Sequence, residues 1–303
     1  MQNTNYILKE YDDALSSILN NGFDINDDRT GVGTRCLFGI NTKYDISKRI
    51  PLLTKRKLFW KSIVKEVLWY ISGSHNINDL EDMGAKIWTP WKNDDFTNKH
   101  NLPQGSGGYI YGFNLIHYGA DIHEFEAYKN GETTTKPYEG FNQLDYVIDT
   151  LRKSPKSRQA CFSFWRPDTN HKAVLPACHT MYSFIVSPDE KGEMTILNCH
   201  MFQRSNDYPI GVGMGNLFTG TLFTYLIAQQ LNMTPGMLYH SGSHCHIYNN
   251  SLEAAAEYCS RTETPDSPIL HINKKDSIYD YTIDDFELEG YDPLPAIKFP
   301  VAV

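Results

Sequence analysis

Along residues 5–21 the apolar side chains Ile7, Leu8, Tyr11, Leu15, Ile18 and Leu19 recur at intervals of three and four, with polar residues between them. That spacing predicts an amphipathic helix, stopped by Asn21 and Gly22. A second helix is predicted from Trp60 to Ser72, where Ile63, Val67 and Tyr70 share a face that Val64, Leu68 and Ile71 widen. So broad a stripe implies burial. Further helices are predicted from about Gln143 to Arg152 and, strongly apolar, from Leu217 to Leu231. Short apolar runs at Cys36–Ile40, Ala160–Trp165, Met181–Val186 and Met194–Phe202 predict strands. The turn formers Ser187–Gly192 join the last two as a hairpin, and residues 267–290 return to strand and turn. The polar stretches 92–108 and 121–142 are predicted as irregular surface insertions, because strong patterns resume on both sides of each. No internal repeat is visible. The pattern therefore predicts an α+β fold in one domain over residues 1–303.

Composition narrows the class. With 41% apolar and 21% charged residues, the chain can bury a substantial core and is not disordered. Its 36 acidic against 28 basic side chains give a formal charge of −8. No DNA-binding coat is expected from that balance, although a local basic pocket is compatible with it. No apolar run approaches the roughly 20 residues of a membrane span. The polar first eleven residues predict no secretory leader, and the six cysteines contain no CxxC pair. Reduced thiols in a cytoplasmic protein without structural zinc are the expectation.

Candidate chemistry begins at Leu175-Pro176-Ala177-Cys178-His179. Neighbouring residues on a strand face opposite ways, so Cys178 and His179 are not a nucleophile–base pair. A cysteine becomes a nucleophile when cations stabilise its thiolate, and those must come from elsewhere. Arg204 and Ser205 in Gln203-Arg204-Ser205-Asn206-Asp207 are read as following a strand and preceding a turn containing Gly211, Gly213 and Gly215. A guanidinium, a hydroxyl and exposed amides would suit a phosphate. Arg29 and Arg158 lie in similar settings, and each arginine alone reads equally well as a surface residue. Glu66 falls beside the apolar face of its helix, which leaves both a desolvated proton carrier and an exposed carboxylate open. His240, His244, His246 and Tyr248 cluster without carboxylates at ligand spacing, which favours hydrogen bonding over a metal site.

Together these pieces resemble thymidylate synthase over nearly the whole chain. The matching stretches are DDRTGVGT (27–34), PLLTKRKLFWKSIVKEVLWYISGSHNI (51–77), KIW (86–88), YGF (111–113), LPACH (175–179), QRSND (203–207), HIYNN (246–250) and DFELEGYDP (285–293), with the terminal VAV. The resemblance implies a layered α/β fold with a large twisted mixed sheet flanked by helices, dimeric through that sheet. It implies one-carbon transfer from 5,10-methylenetetrahydrofolate to C5 of dUMP, giving dTMP and dihydrofolate. By resemblance Cys178 is the nucleophile. Arg204, Ser205, Arg29 and the partner's Arg158 would hold the phosphate. Asn216 would read the uracil, and His246 with Tyr248 would hold the 3′-hydroxyl. Glu66 would relay protons and Tyr111 would assist loss of the C5 proton. Asp207 would bind the pterin, Trp88 would pack beside it, and Val303 would close over the folate.

Several positions depart from that family's pattern. The stretch Ile210–Asn216 is one residue longer than the usual LGxPFN, and Gly220 stands where a tyrosine is usual. Gln159 replaces the second arginine of a pair, Ser183 a glutamine, His244 an acidic residue and Arg166 an asparagine. Asn114-Leu115-Ile116 replaces the usual QWR after YGF. Loss of bulk at Gly213, Gly215 and Gly220 would suit a dUMP 5-hydroxymethylase, in which water replaces hydride, with dCMP a less favoured substrate. A non-catalytic binding member of the fold and a cysteine hydrolase are the more distant readings.

Overall fold

The computed structural model describes residues 3–26 and 30–301. Helix α1 (Lys9–Asn21) leads into β1 (Phe23–Ile25) and β2 (Thr34–Asp45). Helices α2 (Trp60–Ile71), α3 (Ile77–Asp82), α4 (Asp94–Lys99), α5 (Tyr111–Ile116), α6 (Ile122–Lys129) and α7 (Gln143–Lys153) follow. Then come β3 (Cys161–Ser163), β4 (His179–Pro188), β5 (Met194–Asp207), α8 (Leu217–Leu231), β6 (Thr234–Tyr248) and α9 (Leu252–Ser260). Strands β7 (Ile269–Ile272) and β8 (Phe286–Glu289) form a separate pair.

The main sheet has the order β1-β2-β6-β5-β4-β3. Its neighbours are antiparallel except β5 and β6, which run parallel. A parallel pair needs a crossover, and α8 supplies it. The mixed sheet flanked by helices is the layered α/β fold expected from the sequence. One sheet face carries the core: Tyr182, Phe184 and Val186 of β4 alternate inward and meet Phe218, Leu222, Phe223 and Leu226 of α8. Each large side chain buried there contributes about 1.5–3 kcal/mol. The other face carries Met181, Ile185, Phe202 and Tyr239, exposed by 44, 54, 38 and 43%.

Four details correct the sequence reading. The stretches 92–108 and 121–142 are not wholly irregular, because each contains a helix, α4 and α6. Asn93 and Asp121 cap those helices, and Phe96 and Phe125 pack on a small cluster of Leu102, Tyr109, Phe113, Ala120 and Ile122. Six- and eight-residue helices carry too few apolar positions to show a period. Strand β5 continues to Asp207, so Arg204 and Ser205 lie within a strand rather than after one. Strand β6, rich in histidine and glycine, gave no strand signal at all. Lastly, Tyr208–Asn216 is a π-helical segment that runs into α8 as one helical stretch, not a turn with exposed amides. The combined stretch Tyr208–Leu231 is 24 residues long, and two-thirds of its apolar window is buried inside the fold, as a core helix requires.

Candidate active site

Cys178 sits at the start of β4, in a loop gripped by Arg204 of β5. The guanidinium donates from Nε to the Ala177 carbonyl at 2.9 Å and from Nη2 to the Pro176 carbonyl at 2.7 Å. The Arg204 amide donates to the Cys178 carbonyl at 3.0 Å, and Nη2 lies 4.0 Å from the Cys178 sulfur. The face of Trp165 backs the guanidinium at 5.0 Å. A fixed positive charge thus stands beside the sulfur, which is the setting a thiolate nucleophile needs. Tyr111, at the first position of α5, accepts the Cys178 N–H at 2.7 Å. Burial pushes the Tyr111 hydroxyl well above the usual phenol range, with the nearby Cys178 adding to the effect.

From Tyr111 an aromatic wall leads to Glu66. Tyr70 stacks on Tyr111 at 4.9 Å and donates to Glu66 Oε1 at 2.8 Å. Trp88 meets Tyr111 edge-on at 5.8 Å and donates its indole N–H to the same oxygen at 2.5 Å. Glu66 is therefore on the buried side of α2, the alternative that the helical pattern left open. Burial raises its carboxyl above the ordinary range, against the opposing pull of the two donors.

Asn216 closes the π-helical segment and hydrogen-bonds the His179 side chain. The His179 Nδ1 is engaged by the Tyr182 hydroxyl at 2.7 Å, which leaves Nε2 for Asn216. Burial pulls His179 down to about 4, so the ring is neutral near pH 7 and couples β4 to the Asn216 side chain. Sequence reasoning set His179 aside because it faces away from Cys178. That same inward face is what lets it hold Asn216.

Asp207 ends β5, and its carboxylate accepts the Ile210 N–H at 3.3 Å. Burial drives it up to about 7, partly opposed by the Arg56 charge. Arg56 is 2% exposed, donates to the Pro209 carbonyl at 2.5 Å and lies over the Phe299 ring at 4.4 Å. It was missed because a basic run reads as a solvated face. The Asp207 shift predicts a pH effect. Between about pH 4 and 7 the folded chain holds a proton that the unfolded chain has lost, so stability falls as pH rises, by at most about 1.4 kcal/mol per unit. Asp207→Asn is expected to remove that slope, and thermal melts across this range check it. An identical slope in the variant contradicts the assignment.

On β6, His246 pairs in register with Asp207, and His244 with Ser205. The His246 and Tyr248 rings meet edge-on at 5.0 Å. Thus Ser205, Asp207, His246 and Tyr248 gather at one end of the β5–β6 pair. Arg158 is elsewhere, in an exposed hollow of about 750 Å³ with Thr150, Lys153, Lys156 and Gln159. Arg29 and Val303 lie outside the described residues.

A family model described as thymidylate synthase matches residues 9–303. The chain belongs to the thymidylate synthase family. It is 35% identical to a thymidylate synthase from Homo sapiens over 280 residues, covering 91% of this chain and 85% of that protein. A thymidylate synthase from Ascaris suum is 35% identical over 306 residues, covering 99% of each. A bifunctional dihydrofolate reductase-thymidylate synthase from Zea mays is 37% identical over 298 residues, and the chain spans 54% of its length.

Some of the departures from the thymidylate synthase pattern have local explanations. A Cβ at Gly213 would collide with the Tyr11 hydroxyl, and one at Gly220 would meet Leu238 at 3.0 Å and Met201 at 3.2 Å. Gly213 and Gly220 are thus closely packed by neighbours, whereas a Cβ at Gly215 would make only ordinary contact with Ile63, at 3.5 Å and beyond. Asn114 takes a structural part, donating to the Tyr109 and Phe164 carbonyls at 2.9 and 3.0 Å. A serine–histidine–glutamate array also exists away from Cys178: His75 lies 2.8 Å from Ser106 Oγ and 3.1 Å from Glu126. Ser106 is only 2% exposed and accepts the Gly108 N–H at 3.1 Å, so the array braces α6 and the 92–108 segment rather than serving a hydrolase.

Proposed function

We propose that the protein is a thymidylate synthase, methylating dUMP with 5,10-methylenetetrahydrofolate to give dTMP and dihydrofolate. The observation that carries this reading is Cys178 held beside the Arg204 guanidinium, with Tyr111 on its amide and Glu66 behind the same aromatic wall. Uracil C5 is a poor nucleophile. Addition of the Cys178 thiolate at C6 makes the ring an enolate, whose C5 attacks the folate methylene. Asn216, oriented by His179, donates to O4 and accepts from N3–H. Glu66 carries protons to and from O4, a task suited to a carboxyl whose affinity for protons burial has raised. Asp207 takes the pterin, and Trp88, pinned by Glu66, walls the cofactor side.

Hydride rather than water completes the reaction in this reading, because Trp88 is retained and tied to Glu66, and because Gly213 and Gly220, though not Gly215, are closely packed. Mass analysis of the nucleotide formed from dUMP tests it. An added methyl with dihydrofolate formation is expected, and an added hydroxymethyl would make the protein a dUMP hydroxymethylase. Asn216→Asp is expected to move preference from dUMP towards dCMP by about tenfold or more, since a carboxylate cannot donate to O4. Competition assays with the two nucleotides check this, and unchanged preference contradicts the base-reading role.

The working unit is a homodimer joined through the exposed apolar sheet face. Four large side chains open to solvent on one face mark an interaction surface. Arg158, remote from Cys178 in its own chain, would complete the partner's phosphate site. Ile185→Arg is expected to yield a monomer by sedimentation and to raise the KM for dUMP. A variant that stays dimeric with normal KM contradicts this arrangement.

A further inference from the structure

The family's pattern has a second arginine at residue 159, and Gln159 stands there. A glutamine amide can donate but carries no charge. A phosphate monoester carries about 1.5–2 negative charges near pH 7. The hollow that holds Arg158 contains two further cations, Lys153 and Lys156, and no carboxylate lines it. Among the described residues, none of the three forms an ion pair. Like charges gathered without a counter-charge attract an anion.

The local fold separates the two lysines. Lys153 is in the last turn of α7, where a cation complements the carbonyl end of the helix. Lys156 lies beyond the helix and has no such part. The Ser157 N–H donates to the Ser154 carbonyl at 2.9 Å and closes a tight turn, with Pro155 and Lys156 at its two central positions. The Gln159 N–H then donates to Ser157 Oγ at 3.1 Å. Together these bonds fix the backbone that carries Lys156 and Arg158. The chain next enters β3, the edge strand paired with β4. Ser163 of β3 is in register with Met181, one of the large side chains on the exposed apolar face. A second copy docked on that face therefore lies beside the hollow.

We propose that Lys156 is a phosphate-binding residue that replaces the charge missing at Gln159, and that it acts on the nucleotide bound by the other subunit. The proposal rests on the reading that Arg158 completes the partner's phosphate site.

The KM for dUMP of the full-length enzyme tests it. Lys156→Gln is expected to raise KM about tenfold, with a smaller change in kcat. Adding Gln159→Arg to that variant is expected to bring KM back towards the wild-type value, which a merely structural role for Lys156 does not predict. A heterodimer of one Cys178→Ser chain and one Lys156→Gln chain, isolated through two different tags, has one working site. The lysine of that site comes from the Cys178→Ser chain, so a wild-type KM is expected. A KM as high as that of the Lys156→Gln homodimer overturns the proposal. Arg158→Gln tests the underlying reading separately. If it raises KM while Lys156→Gln does not, the role of Lys156 falls and the shared phosphate site stands. If neither variant changes KM, the shared site itself falls.

Discussion

Replacing Cys178 by serine is expected to lower turnover of dUMP by on the order of 10⁴-fold or more, while dUMP still binds. The loss follows from chemistry rather than folding. A serine hydroxyl is not ionised near pH 7, and the Arg204 charge that favours a thiolate is far too weak to ionise it. The loop survives because its bonds bypass the sulfur: Arg204 holds the carbonyls of Pro176 and Ala177, and Tyr111 holds the Cys178 amide. Stopped turnover with calorimetric binding of dUMP intact is the expected pair of results. A variant within about tenfold of wild-type kcat would defeat the nucleophile assignment.

Glu66→Gln is expected to lower kcat by about 10²–10⁴-fold with a smaller change in KM. The amide oxygen can still accept from Trp88 and Tyr70, so the aromatic wall stays in place, but the group no longer carries a proton. The variant is also expected to be at least as stable as the wild type above the ordinary carboxylate range. A carboxyl whose folded affinity for protons is raised by burial contributes stability that falls as pH rises through its folded pKa. The uncharged amide of the variant has no such slope. Equal losses in kcat and stability would instead mark Glu66 as a structural acceptor only.

How much of this was legible in the chain depends on the physics of each part. The apolar helices α2 and α8 and the β4–β5 hairpin announce themselves by period and length. Strand β6 does not, because Gly236, Ser241, Gly242, Ser243 and three histidines hide the alternation, and its pairing is supplied by β2 and β5 on either side. The π-helical segment was read as a turn for a related reason: three glycines argue against a helix locally, and the packing of Tyr11 and Leu53 on Gly213 overrides that preference. At the site, the residue types with exclusive chemistry were visible, Cys178 and Arg204 above all. His179 and Arg56 were not, since their parts arise only where segments distant in the sequence meet, His179 with Asn216 and Arg56 with Pro209 and Phe299. Glu66 lay between these cases, with its face ambiguous until Trp88 and Tyr70 were seen to converge on one oxygen.

The most direct test of the central claim is to trap the covalent intermediate. A fluorine at uracil C5 cannot leave as a proton does, so 5-fluoro-dUMP halts the reaction after the thiolate and the folate methylene have both bonded to the ring. The protein is incubated with 5-fluoro-dUMP and 5,10-methylenetetrahydrofolate, denatured, digested and mapped by mass spectrometry. The account predicts an adduct containing both nucleotide and folate on the peptide bearing Cys178, and none in Cys178→Ser. No adduct at saturating ligands, or an adduct on another cysteine, would contradict it.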